Sequence, residues 1–175
     1  MIREGKVHLY TGDGKGKTTA ALGLAFRAAG SGLHSLIIQF MKGRHYGELD
    51  SAAMLPGLIT IEQFGSEEFC RPDSDTFPAH RVLALKGLSR AKAALSGKGF
   101  EIVILDEIVT AASFSLIDLG DIAALIGMKP PGTELVLTGR GAAPELVSLC
   151  DLVTEMKEVK HYYSSGVPGR RGIEF

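Results

Sequence analysis

The chain has no tryptophan, two cysteines, no excess of either charge and no long apolar run. Each shortage excludes something. Cys70 and Cys150 are too far apart to form a spacing motif, and Cys70 with His80 lacks recognised zinc spacing, so both thiols read as buried or incidental. Nineteen Lys+Arg against 20 Asp+Glu give a formal net charge of −1, which leaves no global footprint for nucleic acid or a membrane surface. Any basic site must be local. No apolar stretch approaches the roughly 20 residues that span a bilayer. "MIREGKV" leads straight into a strand with no apolar signal segment, so a cytoplasmic address is expected. There is no internal repeat or low-complexity tract. With 175 residues, 45% of them hydrophobic and 22% charged, one domain over 1–175 can fill a core.

What is present alternates. Lys6 to Tyr10, Ser35 to Phe40, Leu58 to Phe64, Glu101 to Glu107 and Glu134 to Gly139 read as strands, and Leu152 to Lys157 as a sixth. Their near-continuous apolar character suits strands buried on both faces. Thr18 to Gly30, Ala79 to Leu95 and Leu116 to Ile126 carry helical periodicity, and Ala143 to Leu149 a short helical turn. The expected fold class is a single-domain α/β, phosphate-loop nucleotide-binding fold, its mostly parallel sheet flanked by helices. Met41 to Gly57, Gly65 to Pro78 and the tail 158–175 read as irregular. In an open α/β sheet, ligands sit at the carboxyl ends of strands, where the first two of these segments emerge.

"YTGDGKGKTTAA" (Tyr10 to Ala21) joins the first strand to the first helix. Gly16, Lys17 and Thr18 fill the end of the phosphate-loop pattern G-x-x-x-x-G-K-[ST], while Thr11 stands where its first glycine belongs. A glycine-rich turn of this kind aims backbone N–H groups at one point, and the helix dipole adds to the field. Polyphosphate is the natural guest. Thr11, Gly12, Asp13, Gly14, Lys15, Gly16, Lys17, Thr18 and Thr19 are the candidate nucleotide-binding residues.

"VILDE" places Asp106 and Glu107 at a strand end, where a carboxylate is expected to meet magnesium held by Thr18. Asp106 is the expected metal-side group. Glu107 could orient water, bind magnesium or bind a ribose hydroxyl. In "LTGRG", Arg140 lies between two glycines that let the backbone stay close while the guanidinium reaches a phosphate. Lys15, Lys17, Arg27 and Arg140 together would offset the charge of a triphosphate. "QFMKGRHYGELD" (Gln39 to Asp50) reads as a basic-aromatic loop, either one past which a polar ligand runs or, equally, a flexible exposed loop, and neither His45 nor His161 is assigned a catalytic role.

Taken together, "YTGDGKGKTTAALGLAFRAAG", "QFMKG" followed by "GE", "VILDE", "LTGRG" and the tail "VKHYYSSGVPGRRGIEF" resemble the ATP:corrinoid adenosyltransferase family of cobalamin metabolism, over nearly the whole chain. The resemblance implies that a reduced Co(I) corrinoid attacks the 5′ carbon of ATP and the whole triphosphate leaves. Cobalt is then the nucleophile, and no side chain acts as a base. Asp13 to Thr19 would hold the triphosphate, Thr18 would bind magnesium, and Arg27, Glu107 and Arg140 fall on family positions that contact nucleotide or metal. Lys17 and Arg140 would stabilise the leaving charge. An electron donor for cobalt and a homodimer are the implied partners. The chain departs from the family in lacking its Phe-x-Trp segment and the N-terminal extension of some members. Phe64, Phe69 and Phe77 are the aromatics left to meet the corrinoid, Phe69 foremost. An ATP-hydrolysing switch and a non-catalytic corrinoid or nucleotide carrier are the alternatives.

Overall fold

A computed structural model describes residues 2–175. Six strands form one sheet: β1 (Val7–Thr11), β2 (Ser35–Phe40), β3 (Ile59–Phe64), β4 (Ile102–Asp106), β5 (Glu134–Thr138) and β6 (Leu152–Glu155), in the order β3-β2-β4-β5-β1-β6. Every pairing is parallel. All six strands therefore end at one edge, and the loops leaving them meet there.

Alternation sorts each strand's side chains between two cores. Leu36, Ile38, Phe40, Val103, Leu105, Leu135 and Leu137 face the larger core, while Ile37, Ile102, Ile104 and Val136 face the other. Helix α1 (Lys17–Ala29) packs on the second face through Ala21, Ala25 and Ala28, whose small side chains let it lie close. Helices α3 (Phe77–Ser96) and α5 (Leu119–Met128) meet over the first face. Gly87 sits in α3 because a Cβ there would come 2.9 Å from the Phe40 ring and 3.1 Å from Phe64 Cβ.

Several boundaries differ from the sequence reading. Two short helices were not anticipated: α2 (Gly47–Ala53), inside a stretch read as irregular, and α4 (Ile108–Ser113), directly after β4. Both are too short to show periodicity. Helix α3 starts two residues earlier than expected, because Pro78 in its first turn needs no N–H partner. Helix α5 starts three residues later: Leu116 and Ile117 are buried, but Asp118 is the N-cap. The sixth strand is exposed at all four positions, not buried on both faces, because it lies at the sheet edge beyond β1. Between β5 and β6 runs α6 (Pro144–Ser148). The tail holds a 3₁₀ turn, Tyr162–Ser165, and folds back onto the loop after β1. Cys70 is buried and Cys150 half-buried, and burial raises both thiols, Cys150 to about 11. No helix among the described residues is long and apolar enough to cross a membrane.

Candidate functional site

The loop after β1 is braced by the backbone beyond β6. Strand pairing runs through Thr11, opposite Glu155, so Thr11 stays extended and the turn begins at Gly12, with φ +94°. That displacement accounts for a threonine where the motif has its first glycine. A Cβ on Gly12 would lie 2.4 Å from the Met156 carbonyl oxygen, and one on Gly14 2.8 Å from it. The Gly14 N–H donates to that same oxygen at 2.7 Å. Gly16, at φ +118°, caps α1. Lys17 is buried, its ammonium donating to the Gly12 and Gly14 carbonyls at 2.6 and 2.8 Å. Burial draws that ammonium below its ordinary value, against the pull of Glu107.

Asp106, at 1% exposure, is the hub beneath the loop. Its Oδ1 accepts from Thr18 Oγ1 at 2.8 Å and Thr138 Oγ1 at 2.7 Å. Its Oδ2 accepts from Lys42 Nζ at 2.9 Å and Gln39 Nε2 at 3.3 Å. Four donors thus satisfy a buried carboxylate, as its burial demands. The geometry therefore places Asp106 behind Thr18 as its hydrogen-bond acceptor. Burial opposes the charge on Lys42, but Asp106, Glu48 and Glu107 hold its ammonium above the ordinary value.

Glu107 has φ +62° and ψ +16°, a left-handed conformation that costs a non-glycine residue on the order of 1 kcal/mol or more. Its N–H donates to Thr138 Oγ1 at 2.9 Å, and its carboxylate accepts from Thr110 Oγ1. Thr110 Oγ1 in turn accepts the Arg140 N–H at 2.9 Å. Gly139 permits this approach, since a Cβ there would come 2.5 Å from Thr110 N. The Arg140 guanidinium itself is exposed, 3.9 Å from Asp13.

Two clefts open along this edge. The first, about 620 Å³, is lined by Asp13 to Thr19, by α2 and by the tail through His161 and Gly172 to Phe175. The second, about 580 Å³, lies between the loop after β2 and the loop after β3, with Met41, Phe69, Cys70 and Phe114 in its wall. Lys42, Tyr46, Glu107 and Arg140 line both.

The structure thus gathers Asp13, Gly14, Lys15, Gly16, Lys17, Thr18, Thr19, Glu107 and Arg140 at the first cleft. Thr11 and Gly12 shape the turn from outside its lining. Arg27 is not brought there: it is exposed in the last turn of α1, ten residues past Lys17 and about 15 Å along the helix axis. Phe64 and Phe77 pack against the larger core at the two ends of their loop. Phe69 is 77% exposed and lines the second cleft. His45 pairs with Asp50 in solvent and is not among the residues that line either cleft. Sequence reasoning missed Gln39, Lys42, Glu48, Thr110 and Thr138. "QFMKG" was the available signal for the first two, but nothing local distinguishes a network-forming lysine from a solvated one.

A family model described as ATP:corrinoid adenosyltransferase BtuR/CobO/CobP matches residues 3–175. A corrinoid adenosyltransferase of Sinorhizobium sp. is 32% identical, the match covering 98% of this chain and 81% of that protein. The corrinoid adenosyltransferase of Escherichia coli K12 is 29% identical over 98% of this chain and 86% of its own. An uncharacterized protein of Nostoc sp. is 35% identical over 90% of this chain, which spans only 45% of that relative's length. Among solved structures, a KaiC-like protein of Pyrococcus horikoshii superposes with a TM-score of 0.56 at 18% identity, over 90% of this chain and 74% of that one, a likeness of fold. The chain belongs to the ATP:corrinoid adenosyltransferase family.

Proposed function

We propose that the protein transfers the 5′-deoxyadenosyl group of ATP to the cobalt of a Co(I) corrinoid and releases triphosphate, in the biosynthesis or salvage of cobalamin. The observation that carries this reading is the meeting of two clefts of different chemistry. One is walled by a phosphate loop, the other partly by Met41, Phe69 and Phe114, and they share Lys42, Tyr46, Glu107 and Arg140. A triphosphate in the first cleft and a corrinoid in the second would face each other across that shared wall.

The chemistry asks little of side chains as acids or bases. Cobalt supplies the electron pair, so the site must align the 5′ carbon with it and stabilise the departing charge. Backbone N–H groups of the loop, Lys17 and the exposed Arg140 guanidinium are suited to the triphosphate. Magnesium fits the donors present: the Thr18 hydroxyl and the Glu107 carboxylate are hard oxygen ligands, and phosphate oxygens would complete the shell. Among the described residues no three His, Cys, Asp or Glu side chains form a cage, which suits a metal held largely by its nucleotide. When bound, magnesium would neutralise phosphate charge. A separate electron donor would reduce the cobalt, and the site would work within a homodimer.

Anaerobic incubation of the protein with ATP, magnesium and chemically reduced corrinoid tests the reading. The expected result is the cobalt–carbon product by absorbance, with intact triphosphate by phosphorus NMR. ADP and phosphate instead would make the protein an ATPase with Glu107 positioning water. Binding of both ligands without product would make it a carrier.

A further inference from the structure

Lys42 does more than neutralise Asp106. Its side chain is 16% exposed, with Nζ 2.9 Å from Asp106 Oδ2 and 3.5 Å from Glu48 Oε1. Gln39 Nε2 bridges the same two carboxylates, at 2.9 Å from Glu48 and 3.3 Å from Asp106, and Gln63 Nε2 donates to Gln39 Oε1 at 3.0 Å. Nζ also lies 5.2 Å from the centre of the Tyr46 ring. The ammonium is therefore fixed from several sides, while Lys42 lines both clefts and its side chain keeps some exposure. Arg140, the other cation in that shared wall, has a side chain that is 58% exposed and is not held comparably.

Resting on the transfer reading above, the location of the reacting bond follows from the clefts. The phosphate loop holds the triphosphate in the first, and the corrinoid lies in the second. The 5′ carbon and its bond to the α-phosphate oxygen must then lie at their junction. We infer that the Lys42 ammonium contacts the α-phosphate end of ATP there and neutralises the charge that arrives when this bond breaks. In the step, the cobalt electron pair forms the bond to the 5′ carbon. The carbon–oxygen pair goes to the leaving oxygen, and triphosphate departs one charge more negative. No proton moves. A fixed cation at a half-enclosed site stabilises that added charge without reorganising, which is the most effective arrangement for an electrostatic group.

Lys42→Met alone would leave Asp106 buried without its counter-charge, which is itself destabilising. The test therefore compares Asp106→Asn with Asp106→Asn/Lys42→Met, using pre-reduced corrinoid and saturating ATP. The expected result is a kcat at least about 30-fold lower in the double variant, with KM for ATP within about threefold and a thermal midpoint no lower than that of the single variant. A second measurement needs no turnover. Inorganic triphosphate carries the full leaving charge, so its affinity should fall about tenfold in the double variant and that of ATP much less. Equal kcat and equal triphosphate affinity in the two variants would mean that Lys42 acts only through Asp106, and would overturn the inference. Wild-type protein that forms no cobalt–carbon product would overturn the transfer reading, and the role of Lys42 with it.

Discussion

Lys15 Nζ donates to the Ile173 carbonyl at 3.1 Å and lies 3.9 Å from Glu174 Oε1, so a phosphate-loop lysine is engaged by the tail that walls its own cleft. Glu174 thus places a carboxylate beside a cation that a triphosphate would use. Replacing it with glutamine should lower KM for ATP about two- to fivefold at low ionic strength, and the gain should shrink in high salt. Steady-state kinetics at two salt concentrations decides it. A raised KM would show that the tail holds the nucleotide instead.

The tail is itself pinned through Glu174. Tyr162 and Arg170 donate to its carboxylate, and the Arg170 guanidinium lies 4.6 Å from the centre of the Tyr162 ring. The Tyr162 hydrogen bond first, and then Arg170, hold Glu174 down to about 2, below its ordinary 4.5. A depressed carboxyl supports the folded tail above the higher value and loses that support as pH falls toward the lower. Amide exchange over 162–174, corrected for intrinsic rates, should therefore rise relative to β4 between pH 4.5 and 2. Unchanged relative protection across that window would contradict this anchoring.

Lys17→Ala should reduce kcat/KM for adenosyl transfer at least about 100-fold while leaving the fold intact. Lys17 Nζ bonds to two loop carbonyls and contributes little to either core. A thermal midpoint within a few degrees of wild type, alongside lost turnover, is the expected pair of readouts. Retained turnover would sink the phosphate-loop assignment.

Phe69 is the exposed aromatic of the second cleft, with its loop held at both ends by Phe64 and Phe77. Packed under a corrinoid, it would exclude water and the lower axial ligand from that face. With ATP bound, Co(II) corrinoid should give a four-coordinate electron paramagnetic resonance signal that Phe69→Ala diminishes, while transfer from pre-reduced Co(I) falls much less. A full signal in the variant would place the lower-face contact elsewhere.

Gly87→Ala tests the packing that anchors that loop. The added Cβ would meet the Phe40 ring at 2.9 Å and Phe64 at 3.1 Å, an overpacking of about 1–3 kcal/mol set against a helix-propensity gain of about 1 kcal/mol. A net loss of up to about 2 kcal/mol in urea unfolding is expected. A stabilised variant would show that α3 and β3 are free to separate.

The chemistry of short segments was legible from the residues themselves. Glycines, Lys17 and Thr18 between a strand and a helix announce a phosphate site because a local backbone turn creates it. The apolar runs ending in Asp106 and Thr138 announce buried strands whose ends carry polar groups. Helices α2 and α4 were not legible, at seven and six residues, because periodicity needs more than two turns to show. Arg27 read as a phosphate partner from its charge and motif. It lies in the last turn of α1, outside the residues that line the cleft.

Lys42 shows where sequence runs out. It lies 64 residues from Asp106, and no spacing rule links them. They meet because β2 pairs directly with β4, in a register that sets Gln39 beside Asp106 and delivers the next loop over it. The same crossing order puts β5 next to β4, and so brings Thr138 to Asp106 and Arg140 to Thr110. Local composition determined that the protein would be an α/β domain with a phosphate loop, because turns, caps and alternation act over a few residues. Strand order decided which side chains share a buried charge, because that depends on neighbours the chain reaches only after folding.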